Sequence, residues 1–222
     1  MTMTIGAVAS GRRAATVNAV TLSSASYRQD STTLAGTDMT WACWFKAPTV
    51  TGSYHSFLSA SADGSNYWIT SVSSSGVLVQ DNHGEYTTGH SVGAGVWHYV
   101  AVAHHEGSGA IEFYYAVEGA GALTKVNFTG STGAYAGYFQ IGIDFFASPL
   151  NGSMAQVKVW TAALSQAEVE AEWHLDGVAR TSGLWGYWSF RAGPQTTDES
   201  GNGRTLTVFG TPTLDTAGPG GF

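Results

Sequence analysis

The sequence predicts an all-β protein: a two-sheet antiparallel jelly-roll sandwich with one short capped helix near residues 165–174. Three observations predict it. The 222 residues include 29 glycines, 13% aromatic residues and only 11% charged residues, the composition of many short strands joined by tight turns. Short alternating apolar runs recur along the chain with Gly, Asp and Asn turn signals between them. The period changes from two to helical at one place, inside LNGSMAQVKVWTAALSQAEVEAEWH at 150–174.

The elements follow in order. Residues 1–20 read as an extended arm in which Ile5, Val8, Val17 and Val20 pack on another surface. In MTWACWFK, Trp41, Cys43 and Phe45 share one strand face and Ala42, Trp44 and Lys46 the other, and Pro48 ends the run. HSFLSA and YWITSVS form a hairpin with Asp63-Gly64 at its tip, and VLVQ runs through DNHGEY into a second hairpin. VWHYVAVAHH and AIEFYYAVEG form two strands around the turn EGSGA, with Tyr99, Ala101 and Ala103 opposing Val100 and Val102. FQIGI and AQVKV read as half-exposed strands, the second with Ala155, Val157 and Val159 inward and Gln156 and Lys158 outward. Ser165 and Glu168 are spaced as a capping box between Leu164 and Val169, a hydrophobic staple. Val169 and Trp173 face the sandwich, and Glu168, Glu170 and Glu172 face water. GLWGYWSF is an aromatic strand, and the tail closes with RTLTVFG and LDTAGPGGF. The domain reading is an arm at 1–20, a jelly roll at 21–182, and an aromatic strand and tail at 183–222 packed on the same sandwich.

Charge and cysteine usage narrow the function classes. A formal charge of −7, with no basic cluster beyond Arg12-Arg13, argues against a nucleic-acid footprint. The start has no basic region followed by an apolar core, and no stretch approaches a membrane span, so neither a secretion signal nor membrane insertion is expected. Cys43 stands alone in an alternating run and is read as a buried, inert thiol. His98, His104 and His105 are read as turn histidines on a wet surface rather than as a metal site. DESGNG starts like a calcium loop at Asp198, Ser200 and Asn202, but its twelfth position is Phe209, so it is read as a solvated turn.

Four stretches in order, MTWACWFK, VWHYVAVAHHEG, LNGSMAQVKVWTAALSQAEVEAEW and GLWGYWSF with DESGNGRTLT, resemble the laminin-G-like, concanavalin A-like lectin/glucanase superfamily in its bacterial and phage-associated form. The resemblance covers residues 38–210 and implies a jelly roll used mostly to bind glycans or proteins. Relatives often hold calcium through acidic residues at positions that here are Gln156 and His104-His105-Glu106, so no cofactor is expected and calcium is weakened as an expectation. Glucanase relatives carry paired acids on one strand, as glycoside cleavage requires, whereas Glu112, Glu118, Glu168, Glu170 and Glu172 are scattered, so no catalytic residues and no enzyme are expected.

The expected function is a non-enzymatic, lectin-like surface or decoration protein of a larger assembly such as a virion, with glycan or cell-surface binding. Its partners would be other protein subunits, as a homo-oligomer or on a phage capsid or tail. The alternatives are a stand-alone carbohydrate-binding module and, behind it, a glycoside hydrolase. Two hairpin tips carry the candidate ligand-binding residues: Asp63, Asn66, Tyr67 and Trp68 on the first, and Asp81, Asn82, His83 and Tyr86 on the second. Aromatic rings can stack on sugars while Asp and Asn orient hydroxyls, although Asp-Gly and Asn-rich turns also form with no ligand.

Overall fold

The computed structural model describes residues 18–36, 38–63, 66–82, 84–130 and 135–220, so Ile5, Val8 and Val17 of the expected arm lie outside the described residues. Along the chain come β1 (Ala19–Thr21), β2 (Ser26–Gly36), β3 (Met39–Lys46), β4 (His55–Asp63) and β5 (Asn66–Val72). Next are β6 (Val77–Asp81), β7 (Glu85–Ser91), β8 (His98–His105), β9 (Ala110–Val117) and β10 (Thr124–Thr129). β11 (Tyr135–Ile141), β12 (Ser153–Trp160), α1 (Gln166–Trp173), β13 (Leu184–Trp188), β14 (Thr207–Phe209) and β15 (Thr213–Asp215) complete the order.

The strands build two antiparallel sheets. The first runs β10-β9-β8-β3-β12-β1-β15, with β13 paired to β12 beside β1, and the second runs β14-β2-β11-β4-β5-β6-β7. One edge of β12 is thus shared, its Ser153 and Met154 pairing with β1 and its Val157–Trp160 with β13. β13, β14 and β15, all from the segment after residue 182, extend both sheets, and Trp185, Trp188 and Leu206 enter the central core.

That core lies between the sheets and includes Trp41, Cys43, Phe45, Phe57, Val100, Val102, Phe113, Phe139, Val157 and Val159. Ala42, Trp44, Tyr99, Ala101 and Ala103 face the other way, into a second apolar layer with Trp160, Leu164, Val169 and Trp173. The alternation of MTWACWFK and HYVAVAHH therefore sorts residues between two buried layers. α1 caps the second layer: the Glu168 carboxylate accepts from the Ser165 amide and hydroxyl at 2.8 Å each.

The fold departs from the sequence reading on β12, which is buried along its whole length. Gln156 adopts φ +54°, and the register to β3 shifts between Ala155 and Lys158. This bulge places Ala155 in the outer layer, against the expectation that it shared a face with Val157. Lys158 does leave the core side but is 2% exposed beneath α1, and Glu172, expected in water, is 1% exposed. The two meet at 2.8 Å, with further Lys158 bonds to the Glu172 and Leu175 carbonyls and Glu172 bonds from the Ala179 and Arg180 amides. Burial holds the Lys158 ammonium below the usual lysine range, opposed by the Glu172 charge. Hydrophobic spacing alone hid this pair, because two long polar side chains under a helix read as surface residues.

Candidate functional site

α1 and the segments around it cover the first sheet. Among the described residues the outer face of the second sheet has no such lid, and its register reads off the residues it presents. One cross-strand row runs Thr207, Arg28, Gln140, Ser59, Ile69, Asp81 and Glu85 across all seven strands. A shorter row, Tyr138, Ser61 and Tyr67, lies beside it. The Arg28 and Asp81 strands are four steps apart, a backbone separation of about 19 Å.

A loop then crosses this face. After β11, Gly142 turns the chain at φ +81° and residues 143–149 fold back over β4. Ser59 Oγ donates to the Ile143 carbonyl at 2.8 Å, and the Ser56 amide donates to the Ser148 carbonyl at 3.2 Å. Asp144, 6% exposed, anchors the loop: Oδ2 accepts from Ser56 Oγ at 2.6 Å and Oδ1 from the Ser148 amide at 2.9 Å. The result is a ridge that holds Phe145 and Phe146 out to solvent, 51% and 55% exposed. Their rings meet edge to face, and Phe146 meets Tyr67 in the same way at 5.2 Å.

The ridge divides two hollows. One, about 300 Å³, is lined by Tyr54, Ile69, Ser71, Asp81, Phe146 and Ser148; the other, about 340 Å³, by Arg28, Ser61, Tyr138, Gln140 and Phe145, with Asp144 touching both. The first is acidic. Tyr54 donates to Glu85 Oε2 at 2.6 Å, which with burial and the Glu85 and Asp81 charges pushes the Tyr54 phenol up to about 12. Burial and then Asp81 raise Tyr67. The second hollow is donor-rich: the Arg28 guanidinium lies over the Tyr138 and Phe209 rings at 5.4 and 5.0 Å. Other hollows, one beside α1 at Gly121, Leu123, Glu170 and His174 and one between Lys46 and Asn151, have no comparable aromatic ridge.

The sequence-derived candidates divide accordingly. Tyr67 and Asp81 belong to the open face. Trp68 does not: it is 2% exposed in the core, stacked on His104 at 3.9 Å, because its place in the alternation points it inward. Tyr86 pairs with Gln80 and packs on Phe128, closing the edge between the sheets. Asn82 is buried at its turn. Asp63 and Asn66 pair at the end of the first hairpin, while their side chains, and His83 entirely, lie outside the described residues. Phe145, Phe146, Asp144, Tyr54 and Arg28 escaped sequence reasoning. The available signal was Asp144-Phe145-Phe146 two residues after Gly142, the glycine that follows a strand, two large rings where periodicity stops.

Two of the three expected wet histidines are also corrected, while His105 stays partly exposed at the strand end. β8 runs unbroken from His98 to His105, so His98 and His104 share its inner face, 1% and 0% exposed. His98 takes the Gly93 amide on Nε2 at 3.2 Å and lies 3.3 Å from His90 through Nδ1. Burial, then the neighbouring histidine, lowers His98 to about 4 and His104 to about 3. Among the described residues no group of three or more His, Cys, Asp or Glu is placed to hold a metal ion. Asp198, expected in a solvated turn, is 7% exposed and accepts from the Tyr187, Ser200 and Arg204 amides and the Ser200 hydroxyl. Gln156, where relatives carry an acid, accepts from the Tyr187 hydroxyl at 2.7 Å and donates to Asp176 at 2.8 Å. Both groups serve the joints between strands and loops. Among the described residues no helix is long and apolar enough to cross a membrane.

Comparison with known proteins gives the fold its context. A proposed carbohydrate-binding protein of Bacteroides ovatus superposes with a TM-score of 0.69 at 15% identity, over 92% of this chain; the chain spans 61% of that protein's length. The heptameric serum amyloid P-like pentraxin of Limulus polyphemus gives 0.58 at 14% identity, over 90% of this chain and 94% of its own. The enzymatically active domain of tailspike protein 2 of bacteriophage CBA120 gives 0.54 at 12% identity, over 73% of this chain and 28% of its own. No curated protein sequence matches. A family model matches residues 17–170, more than half of the chain, and the chain belongs to the family it describes, the concanavalin A-like lectin/glucanases superfamily.

Proposed function

We propose that this protein is a non-catalytic carbohydrate-binding protein whose glycan lies across the open face of the second sheet, over the Phe145-Phe146 ridge. The observation that carries the proposal is the pairing of two solvent-exposed rings with a polar row beneath them. Exposed apolar surface costs free energy unless something covers it, and the CH faces of a sugar suit a phenyl ring while its hydroxyls need oriented donors and acceptors. Asp81, Ser71 and Tyr54 supply these on one side of the ridge, and Arg28, Gln140 and Ser61 on the other. The family and the Bacteroides ovatus relative support the same assignment.

The protein would act as a binding component of a larger extracellular or virion-associated particle, made of several copies. Two edge strands support this second part: Val208 and Phe209 on β14 and Leu214 on β15 are exposed apolar residues at the ends of the two sheets. The pentraxin and tailspike likenesses are in keeping with it. A glycan array probed with the full chain and with Phe146→Ala tests the binding role. Binding that weakens at least about tenfold in the variant supports it, and a chain that binds no printed glycan overturns it. Light scattering of the same sample tests the assembly role, which a strict monomer at all concentrations would contradict.

A further inference from the structure

We infer that the open face takes the interior of a linear polysaccharide, several sugars at once, rather than a single terminal sugar. This rests on the proposed binding face and specifies the length and form of what lies on it. Among the described residues, four of the eight exposed large apolar side chains stand on this one face: Tyr54, Tyr138, Phe145 and Phe146, between 41% and 55% exposed. They form a strip. Tyr138 of β11 and Phe145 line one hollow, Phe145 meets Phe146 at 5.7 Å, and Phe146 meets Tyr67 of β5 at 5.2 Å. Tyr54 lines the other hollow with Phe146 and reaches Glu85 of β7.

The strip runs across the strands, from β11 through β4, β5 and β6 to β7, a backbone separation of about 19 Å. One step between strands is about 4.8 Å, close to the length of a pyranose in an extended chain, so the face accommodates about four sugars in a line. The terminal rings, Tyr138 and Tyr54, are themselves exposed, so a chain can run on past either. A site for one terminal sugar needs the opposite, a pocket that buries most of its ligand. The ring planes add a second constraint. Phe145 and Phe146 cross at 88° and Phe146 and Tyr67 at 86°, so no flat ribbon can lie against all of them. The occupant is therefore a single chain whose sugars rotate from one to the next, and a crystalline polysaccharide surface does not fit. A second protein copy suits the strip less well, because the core of a protein interface is strongly apolar, whereas Gln140 and Ser71 line the hollows beside these rings.

Ladders of cello-, manno-, xylo-, malto-, chito- and galacturono-oligosaccharides, from two units to six, test this with the full chain in solution. Where a ladder binds, affinity should rise at least about tenfold between two units and four and then level off, and a methyl cap on the non-reducing sugar should leave it unchanged. Phe146→Ala should weaken every length, whereas Tyr138→Ala should weaken hexasaccharides at least about fivefold and leave disaccharides as they were. An unchanged melting temperature shows that each variant is folded. Disaccharides bound as tightly as hexasaccharides, binding abolished by the cap, retention on crystalline cellulose or chitin, or an equal loss at every length in Tyr138→Ala overturns the inference and leaves the binding face standing. A dimer that Phe146→Ala dissociates assigns the strip to a second copy and overturns it as well. A chain that binds array glycans but no member of any ladder overturns the inference alone, and one that binds neither overturns both.

Discussion

Lys158→Met should be among the most damaging single substitutions in this protein, although Met fills nearly the same space. Lys158 and Glu172 are 2% and 1% exposed and 2.8 Å apart, where two unit charges at an effective dielectric near 20 attract by about 6 kcal/mol. Most of that offsets the cost of taking both ions out of water, so the intact pair contributes little net stability. Removing one partner is different. The Glu172 carboxyl would keep its bonds from the Ala179 and Arg180 amides but lose its buried partner beneath α1, a loss of about 3–5 kcal/mol. For a chain of this size that is a fall of roughly 6–20 °C in melting temperature. Glu172→Gln should cost less, about 2 kcal/mol, because the amide oxygen can still accept from residues 179 and 180 while Lys158 keeps its two carbonyl partners. The double variant should lose less than the sum of the two, by at least about 1 kcal/mol. Urea unfolding followed by tryptophan fluorescence, with unchanged slope, measures all three. A Lys158→Met loss under about 1 kcal/mol, or strict additivity, would show that the pair behaves as an exposed one.

Other consequences can be checked in the same way. His98 and His104 have folded values near 4 and 3, below the unfolded value near 6.5, so the unfolded chain binds protons that the native one refuses. Stability should be full above pH 6.5 and fall by about 3 kcal/mol or more as pH drops towards 4; urea unfolding that is equally stable at pH 7 and 4.5 would contradict this. Gly142→Ala should cost about 2 kcal/mol or more, since its φ is +81° and the new Cβ would lie 2.3 Å from Leu22 Cδ1, and it should weaken glycan binding by misplacing the ridge. Ser56→Ala removes a hydroxyl from the buried Asp144 carboxylate and should cost about 2 kcal/mol, with raised hydrogen exchange confined to residues 143–149. Trp68→Ala should lose about 3–5 kcal/mol as a core residue, while Trp68→Phe, if folded, keeps glycan affinity; a selective loss of affinity in Trp68→Phe would restore it as a binding platform.

The strands were legible because short apolar runs rich in aromatic and β-branched residues, such as MTWACWFK and HYVAVAHH, stand between Gly, Asp and Asn turn signals, and the Ser165/Glu168 box marked the helix start without tertiary information. What alternation does not encode is which face stays open. Both faces of MTWACWFK are apolar because α1 supplies a second layer, and the lid could be named from sequence while the lidless sheet opposite could not. The bulge at Gln156 likewise depends on partners distant in sequence, Ser189 and Tyr187, and shifts Ala155 out of the expected set. The binding face escaped for a related reason. Its row draws single residues from seven strands, so Arg28, Gln140, Ile69 and Asp81 become neighbours through register alone, and no local motif joins them. Hairpin tips attracted attention because Asp, Asn and aromatic residues cluster there, yet at Trp68 and Tyr86 the same alternation that builds the sandwich turns the rings inward.

Titration of the isotopically labelled full chain with its best array glycan, followed by backbone amide shifts, tests the open-face assignment most directly. The amides of Ile69, Asp81, Gln140, Phe145 and Phe146 should move together and saturate with one affinity, while those of the α1 side stay still. Shifts centred on Gly121, Leu123 and His174, or on the β7 and β10 edge, with the Phe145-Phe146 ridge unmoved, would contradict it.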